Sequence, residues 1–337
     1  MLYPILRPAL FLLGPEIAHD LTLFGLNALA RLGPLNPLRH TALGRPRTVM
    51  GLHFPNPIGL AAGLDKDGTC IDGFAALGFG FLEIGTVTPR PQPGNPKPRL
   101  FRLPKAEAII NRMGFNNAGV DRLLTQVEKA RYDGMLGINI GKNKDTPVEK
   151  ALEDYLIGLN KVYTAAGYVA VNISSPNTPG LRELQSSNYL DQLLMGLMAE
   201  RERLAIEHHR TVPLVVKIAP DLSPGEIEAI ADSLVRHRID AVIATNTTAS
   251  RAGVESLKHG TEAGGLSGKP LFEKSTEVVS QFAQALNGKL PIIACGGVQS
   301  VEDAWRKLDA GAELVQIYTG LIYRGPGLVG ELVEGVG

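Results

Sequence analysis

The sequence predicts an α/β protein, a (β/α)8 or TIM barrel that follows an N-terminal helical extension. After about residue 45, short apolar runs alternate with amphipathic segments, as parallel strands joined by crossover helices would require. There are eight such runs, and the eight units of strand, loop and helix that they begin span roughly 290 residues, which suits a TIM barrel of about 250 residues plus insertions. The runs are 56–63, 79–87, 135–141, 168–174, 213–219, 240–246, 291–297 and 313–320.

Helix-start patterns support this repeating unit of strand, loop and helix. A hydroxyl residue followed three positions later by an acid is typical of a helix N-cap, and proline is favoured at the first helical position. The pattern occurs at Thr146, Ser223 and Ser300, with proline next in the first two cases. An open doubly wound sheet is the alternative, but no GxGxxG motif opens the first strand–helix turn.

A proline-rich insertion, residues 89–117, interrupts the repeating unit after the second strand. It carries five prolines between positions 89 and 98. Such a segment cannot form a central strand or a helix. We expect it to pass over one face of the barrel as part of a lid.

Composition and charge exclude some classes of protein. The chain has 337 residues, 44% of them hydrophobic, and its 34 Lys and Arg equal its 34 Asp and Glu. A packed core is expected and a nucleic-acid partner is not, because excess positive charge is what binds a phosphate backbone. Cys70 and Cys295 lack CxxC spacing and predict neither a disulfide framework nor a metal site.

Side-chain alternation predicts a ring of polar residues at one end of the barrel. The carboxyl ends of barrel strands carry the site, and alternate side chains of each strand point inward. Small or polar residues alternate here with large Ile and Val, so the polar ones are expected to face inward. They are Thr86, Asn139, Asn172, Lys217 and Thr245. Five at equivalent positions favour a ligand site over separate buried amides and hydroxyls.

Two lysines and three glycine turns predict an anionic cofactor. Lys217 is costly to desolvate without an anionic partner, which a reduced flavin offers, and Lys66 adds a second cation after the first strand. Glycines in 267–270, 295–298 and 318–321 let backbone N–H groups approach a phosphate. Tight turns also demand glycine. The position of the last two turns, after the seventh and eighth strands, favours a phosphorylated cofactor such as FMN.

Several motifs together resemble dihydroorotate dehydrogenase, specifically the membrane-associated, quinone-using class 2 enzymes. The resemblance covers essentially the whole chain. It implies an FMN-containing barrel that oxidises dihydroorotate to orotate in pyrimidine synthesis. The motifs are AAGLDKDG (61–68), NRMGFNNAG (111–119), NISSPNTPGL (172–181), VKIAPD (216–221), ATNTT (244–248), GGLSGKPL (264–271), ACGGV (294–298) and QIYTGLIYRGP (316–326).

The resemblance also implies roles for single residues. Ser175 resembles the catalytic base, where class 1 relatives have cysteine. The orotate-binding residues are implied to be Lys66, Asn111, Arg112, Met113, Gly114, Phe115, Asn172, Asn177, Asn246 and Thr247. The FMN contacts are implied to be Ala62, Gly63, Leu64, Asp65, Lys66, Thr86, Asn139, Asn172, Lys217, Thr245, Gly268, Gly297, Tyr318 and Thr319. His19, Arg102 and Tyr318 resemble polar residues that line a quinone tunnel.

The implied chemistry fits these residue types. Oxidation removes a proton from C5 of dihydroorotate and a hydride from C6, so a base is expected on one side and flavin N5 on the other. Free serine is a weak base, so Ser175 is expected to need a relay, with Thr178 and an ordered water as candidates. Lys217 and Lys66 are expected to stabilise the reduced flavin, and Ser174 to have a structural role.

The first 40 residues predict two apolar helical segments that meet at Gly14–Pro15. One explanation for the helical spacing of apolar residues in the second segment is an amphipathic helix that docks on the barrel. Two such segments instead suit a helical hairpin on a lipid bilayer surface, with a membrane quinone between the helices. The expected division is 1–40 for this hairpin and 45–337 for the catalytic barrel. The apolar residues at helical spacing are Ile17, Leu21, Phe24 and Ala28, before a stop at Gly33–Pro34.

The resemblance implies a monomer bound peripherally at the cytoplasmic face of the inner cell membrane. Three competing hypotheses remain. A class 1 enzyme using fumarate or NAD is disfavoured by Ser175 and the extension. A hydroxy-acid oxidase would want a histidine base, and none of the seven histidines falls at a strand end. A non-redox phosphate-binding barrel or a membrane scaffold would leave Lys217 and the asparagines unexplained.

Overall fold

Eight parallel strands close into a barrel in the computed structural model, which describes residues 3–41 and 44–336. The strands along the chain are β1 (Arg47–Val49), β2 (Leu52–Phe54), β3 (Ile58–Leu60), β4 (Phe81–Val87), β5 (Leu100–Leu103), β6 (Ala108–Asn111), β7 (Met135–Ile140), β8 (Tyr168–Asn172), β9 (Leu214–Ile218), β10 (Ala241–Ala244), β11 (Gly265–Gly268), β12 (Ile292–Cys295) and β13 (Leu314–Ile317). The order around the barrel is β10-β12-β13-β3-β4-β7-β8-β9. Each of the eight predicted apolar runs contains one barrel strand, so the predicted fold class is confirmed.

Helices surround the barrel, and most of them cover the outer faces of its strands. They are α1 (Tyr3–Leu12), α2 (Pro15–Ala30), α3 (Ile71–Ala75), α4 (Val120–Lys129), α5 (Ala151–Val162), α6 (Ser187–Glu207), α7 (Pro224–Arg236), α8 (Phe272–Leu286), α9 (Val301–Asp309), α10 (Thr319–Arg324) and α11 (Gly327–Val336). The large residues of the strands, such as Val169, Val171 and Val216, pack outward against these helices. This layer forms the main hydrophobic core.

The interior of the barrel has its own core, as the alternation of side chains predicts. Ala170 and Val215 lie in this inner cluster with Phe81 and Tyr168, away from the outer core. The β1–β2 hairpin closes the end of the barrel opposite the carboxyl ends of the strands, with Phe54 packed into the inner cluster. With that end filled, the barrel can receive a ligand from its other end.

Two of the three predicted helix caps are confirmed. Ser223 and Glu226 form a reciprocal capping box at the start of α7, and the Ser300 hydroxyl accepts a backbone N–H at the start of α9. The prediction for Thr146 is wrong. Its hydroxyl donates to the carboxylate of Asp154 at 2.7 Å, and a short 3₁₀ turn precedes α5.

The insertion lies outside the barrel, as predicted, but it holds two strands that its proline-rich sequence did not indicate. β5 and β6 form a hairpin, and β11 from a later loop pairs with β6 to complete a three-stranded antiparallel sheet. Phe101 and Ile110 from the hairpin pack with Leu266 of β11 in a small separate cluster. This sheet anchors residues 111–115 beside the open end of the barrel.

Two helices, α1 and α2, precede the barrel and meet at residues 13–14. Ala18, Leu23 and Leu26 of α2 face the barrel side. The predicted stripe faces the other way: the exposed fraction is 63% for Ile17 and 73% for Phe24. Within residues 3–41 and 44–336, no helix is both long and apolar enough to cross a membrane.

Candidate active site

A cavity, here called the polar cavity, lies at the carboxyl ends of the barrel strands. Its lining comes from the barrel strands β4, β8, β9, β12 and β13, from the loops that follow β3, β8, β10, β12 and β13, from β11 and the turn after it, and from Asn111 and residues 113–115 of the insertion. It contains the predicted base, Ser175, and both predicted cations, Lys66 and Lys217. The open end of the barrel thus gathers residues that are far apart in the sequence.

Most of the predicted site residues line this cavity. They are Ala62, Gly63, Lys66, Thr86, Asn111, Met113, Gly114, Phe115, Asn172, Ser175, Asn177, Lys217, Thr245, Asn246, Thr247, Gly268, Gly297, Tyr318 and Thr319. Thr86 reaches it because the pairing of β4 with β7 shifts register between Gly85 and Val87. Without that shift, Thr86 would point outward with Ile84.

The structure does not bring four of the predicted residues to the polar cavity. Arg112 instead forms an ion pair with Glu262 at 2.7 Å. The carboxylate of Asp65 accepts two backbone N–H groups of its own loop, so it shapes that loop. Leu64 lines a different cavity, described below. Asn139 is fully buried one layer beneath the cavity floor.

Side-chain amides on the cavity floor form a connected hydrogen-bond network. The Asn172 amide donates to the Thr86 hydroxyl at 2.9 Å, and that hydroxyl donates to the Asn139 carbonyl at 2.5 Å. Asn246 donates to the Asn172 carbonyl at 3.3 Å and to the Ser174 hydroxyl at 3.0 Å. Ser174 does not line the cavity, which supports its predicted structural role. The network fixes which way each amide points.

Ser175 is held at the cavity by its own loop. Its hydroxyl oxygen accepts the backbone N–H of Asn177 at 3.2 Å. The Asn177 amide donates to the backbone and side-chain carbonyls of Asn111 at 3.1 and 3.2 Å, which joins this loop to the insertion. The hydroxyl of Thr178 is buried and has no hydrogen-bond partner in the described chain. A buried hydroxyl without a partner is unusual and is consistent with a water or proton relay at that position.

The two lysines differ in their surroundings. Lys217 lies 3.9 Å from the carboxylate of Glu83, a fully buried residue of β4. Burial lowers the pKa of Lys66 to about 8, although the nearby Asp67 carboxylate opposes this. Lys66 therefore keeps its charge at neutral pH but lies close to its titration range.

Glu83 and Gln316, two polar residues inside the barrel, were not among the predicted site residues. The pattern that could have found them was present, because each is a polar residue in an otherwise apolar strand, on the inward face. Gln316 donates to the Glu83 carboxylate at 2.7 Å and lines the polar cavity. Its side-chain oxygen is buried without a partner among the described residues.

Glycines permit close approach of the backbone at the far side of the polar cavity. Gly297 has φ +78°, and a Cβ there would lie 2.6 Å from Phe272. A Cβ on Gly320 would lie 2.2 Å from the Val298 carbonyl. Only glycine fits at these positions, which follow β12 and β13, where barrels often bind phosphate.

A second cavity, here called the apolar cavity, lies between α1, α2 and the barrel. The three residues predicted for the quinone tunnel, His19, Arg102 and Tyr318, all line it. Arg102 donates to the carbonyls of Leu10 and Leu13. Burial and the nearby Lys66 lower the pKa of His19 to about 4, so this histidine is neutral at physiological pH.

Tyr318 lines both cavities and forms part of the boundary between them. Burial raises the pKa of its hydroxyl to about 12, so the side chain stays neutral. The remaining lining of the apolar cavity is mostly hydrophobic, including Phe11, Leu26 and Phe74. A water-soluble ligand and a hydrophobic one could therefore occupy adjacent sites.

The fold and the position of the polar cavity define the class: this is a TIM-barrel enzyme with its site at the carboxyl ends of the strands. A family model described as dihydroorotate dehydrogenase matches residues 46–337. A Methylococcus capsulatus protein described as dihydroorotate dehydrogenase (quinone) is 66% identical over 328 residues, covering 97% of this chain and 96% of its own. The chain belongs to the dihydroorotate dehydrogenase family and is an oxidoreductase.

Other relatives agree with this assignment. A Pseudomonas putida protein with the same description, dihydroorotate dehydrogenase (quinone), is 61% identical over 335 residues, or 99% of this chain and 98% of its own length. The crystal structure of DHODH from Eimeria tenella in complex with ferulenol superposes with a TM-score of 0.86. It is 40% identical and covers 96% of this chain and 90% of that one.

Proposed function

We propose that the chain oxidises dihydroorotate to orotate in pyrimidine synthesis, with FMN in the polar cavity and a membrane quinone as electron acceptor in the apolar cavity. The observation that carries this proposal is the pair of adjoining cavities. One holds the predicted base, cations and asparagines, the other holds the predicted tunnel residues, and Tyr318 lines both. Membership in a family of quinone-type enzymes supports the choice of acceptor.

The residues of the polar cavity fit FMN. Glycine turns after the last two strands offer backbone N–H groups to its phosphate, and the Lys217 cation suits the ring edge that becomes negative on reduction. The unpaired oxygens of Gln316 and Thr247 leave polar groups for a ligand to satisfy. When bound, FMN would supply a hydride acceptor at N5.

The asparagines suit a substrate whose ring carries C=O and N–H groups in fixed positions. An asparagine amide presents a donor and an acceptor together, and hydrogen bonds hold Asn177 and Asn246 in place. The Lys66 ammonium offers a charge partner for the substrate carboxylate. Together these groups would hold the substrate with C5 towards Ser175.

Ser175 is proposed to take the C5 proton. The Asn177 N–H that points at its oxygen would stabilise negative charge there when the proton leaves. The unpaired Thr178 hydroxyl lies three positions along the same loop and would pass the proton on through an ordered water. Serine would thus act without a histidine partner, since no histidine in the described chain lines the polar cavity.

The N-terminal part is proposed to bind the membrane peripherally at its cytoplasmic face. In this division of the chain, residues 1–40 deliver the quinone and residues 45–337 carry out the oxidation as a monomer. The outward apolar residues of α1 and α2 support the proposal, because they face away from the barrel. The most exposed fractions are 73% for Ile5, 89% for Leu12, 63% for Ile17 and 73% for Phe24.

Anaerobic mixing with dihydroorotate tests the proposed function. The purified protein is expected to carry FMN, to lose its flavin absorbance when dihydroorotate is added, and to regain it when a quinone follows. Absorbance spectra under argon measure both steps. Bound FMN that dihydroorotate cannot bleach would contradict the substrate, and protein purified without flavin would contradict the cofactor.

A further inference from the structure

A buried carboxylate occupies the centre of the barrel. Glu83 has no exposed surface, and its two oxygens accept hydrogen bonds from three side chains. Asn139 donates to one oxygen at 2.8 Å, while Tyr168 and Gln316 donate to the other at 2.9 and 2.7 Å. Three converging donors suit an ionised carboxylate, which only accepts. Burial and the Glu83 charge raise the pKa of Tyr168 well above its usual value, so the phenol remains a donor.

Lys217 provides the positive charge that such a carboxylate needs. Its ammonium nitrogen lies 3.9 Å from the nearer Glu83 oxygen, and both side chains are buried. Burying either charge alone would be costly, and the attraction between the two offsets part of the desolvation cost of each. The 3.9 Å separation is longer than a hydrogen bond, so the N–H groups of Lys217 remain available to the polar cavity.

The charges of Lys217 and Glu83 lie at different depths below the polar cavity. Lys217 lines the polar cavity, whereas Glu83 lies beneath it and does not. A negative charge that develops in the cavity would be attracted by Lys217 and repelled, from farther away, by Glu83. The positive field at the cavity floor is therefore the field of Lys217 reduced by the weaker, opposing field of Glu83.

We propose that Glu83 is a positioning residue that acts through Lys217. It fixes the position of the lysine ammonium at the floor of the polar cavity and offsets part of its field, and so sets the reduction potential of the bound flavin. This inference rests on the proposed function, in which FMN lies in that cavity.

The reduction potential of FMN in a Glu83→Gln variant tests the inference. The substitution removes the negative charge and keeps the shape, so reduced flavin should be favoured. We expect the two-electron reduction equilibrium to shift at least tenfold towards reduced flavin, which is about 30 mV to more positive potential. Anaerobic titration against a reference dye, followed by flavin absorbance, measures the shift without enzyme turnover.

Tyr168→Phe is the matched control. It removes a hydrogen bond from the same carboxylate at 2.9 Å but leaves the charge in place. We expect its reduction equilibrium to change by less than half as much on a logarithmic scale. Equal shifts in the two variants would show a merely structural role for the network and would overturn the inference.

Each of the other possible results of these measurements also bears on the inference or on the proposed function. An unchanged or more negative potential in FMN-loaded Glu83→Gln protein contradicts the inference and leaves the proposed function intact. Wild-type protein that binds no FMN contradicts the proposed function itself. If Glu83→Gln cannot bind FMN, Glu83→Asp is measured instead, since it moves the charge away from Lys217 and should shift the potential in the same direction. Loss of FMN from both variants would mark Glu83 as a folding residue and refute the inference.

Discussion

Ser175 presents the main chemical question at the scale of single residues, because serine is a poor base. Two features of its loop bear on it: the N–H of Asn177 points at its oxygen, and the hydroxyl of Thr178 is buried without a partner in the described part of the chain. In the proposed mechanism the first would stabilise a negative oxygen and the second would offer a route for the proton. Basicity would then come from the loop rather than from a neighbouring histidine.

Replacing Ser175 by alanine should slow flavin reduction while leaving FMN bound. Loss of a general base typically costs about 10²- to 10⁴-fold in rate. Stopped-flow absorbance at saturating dihydroorotate measures the rate constant. Ser175→Cys should recover part of it, because a cysteine thiolate can accept the proton.

Ser174→Ala is the neighbouring control for this experiment. Ser174 is bonded to the amides of Asn172 and Asn246 and does not line the polar cavity. Its loss should weaken dihydroorotate binding more than it slows reduction at saturation. Wild-type rates in Ser175→Ala protein would remove Ser175 from the mechanism.

The polar ring could be predicted from the sequence only in part, and the reason differs between residues. Alternation placed Asn172 and Lys217 correctly because β8 and β9 are regular. It also named Thr86, but that residue reaches the cavity through a register shift that alternation does not predict. Nor could it assign a partner to Lys217, because the pairing with Glu83 joins strands that are far apart in the sequence.

At the scale of secondary-structure elements, α2 presents two different faces. Leu23 and Leu26 pack towards the barrel, while Ile17, Leu21 and Phe24 are exposed. An apolar stripe that faces away from the protein is unfavourable in water. A lipid surface would cover it, as proposed for the N-terminal part.

Phe24→Glu should therefore weaken binding to phospholipid vesicles. Burying a large apolar side chain contributes about 1.5–3 kcal/mol, so losing it should lower the partition coefficient roughly tenfold or more. Co-sedimentation with vesicles measures this. Flavin reduction by dihydroorotate should not change, because α2 does not line the polar cavity.

Met195→Glu on α6 serves as the matched substitution. Met195 is also an exposed large apolar residue, at 62%, but it belongs to a helix that packs on the barrel. Vesicle binding of this variant should equal that of the wild type. If both variants lose binding equally, the association depends on overall charge and the proposed face of α2 is wrong.

The barrel strands were easier to predict than the short strands of the β1–β2 hairpin and the strand β11, whose partner is far away in the sequence. The eight barrel strands are continuous apolar runs, and such runs are distinctive in sequence. The β1–β2 hairpin has strands of three residues each, and β11 pairs with β6 across a long stretch of chain. Neither leaves a periodic pattern, so they follow from tertiary contacts that a single sequence does not reveal.

At the scale of the whole molecule, the proposed function assigns the two halves of the reaction to two different cavities. The polar cavity is formed by the barrel and its loops, and the apolar cavity by the barrel with α1 and α2. Reduction and reoxidation of the flavin should therefore be separable by mutation.

Thr22→Trp should block the apolar cavity without disturbing the polar one. Thr22 is exposed and lines the apolar cavity, so a larger side chain there can fill it without strain in the core. Turnover with a long-chain quinone should fall by about tenfold or more, which corresponds to 1.4 kcal/mol of lost binding. Steady-state quinone reduction measures it.

Flavin reduction by dihydroorotate, the first half of the proposed reaction, is the control for the effect of Thr22→Trp on quinone turnover. Anaerobic bleaching by dihydroorotate should proceed at the wild-type rate in Thr22→Trp protein, and Thr22→Val should retain both activities. A parallel fall in bleaching and quinone turnover would mean that the two cavities are not independent.

The boundary at Tyr318 has a consequence for resistance to inhibitors. Substitutions along α1 and α2 could prevent a compound from binding in the apolar cavity. In the described chain those helices contribute no lining residue of the polar cavity. Such escape would leave substrate oxidation intact. A substitution at Tyr318 alters both cavities at once, so contacts with this residue are the ones from which escape would be hardest.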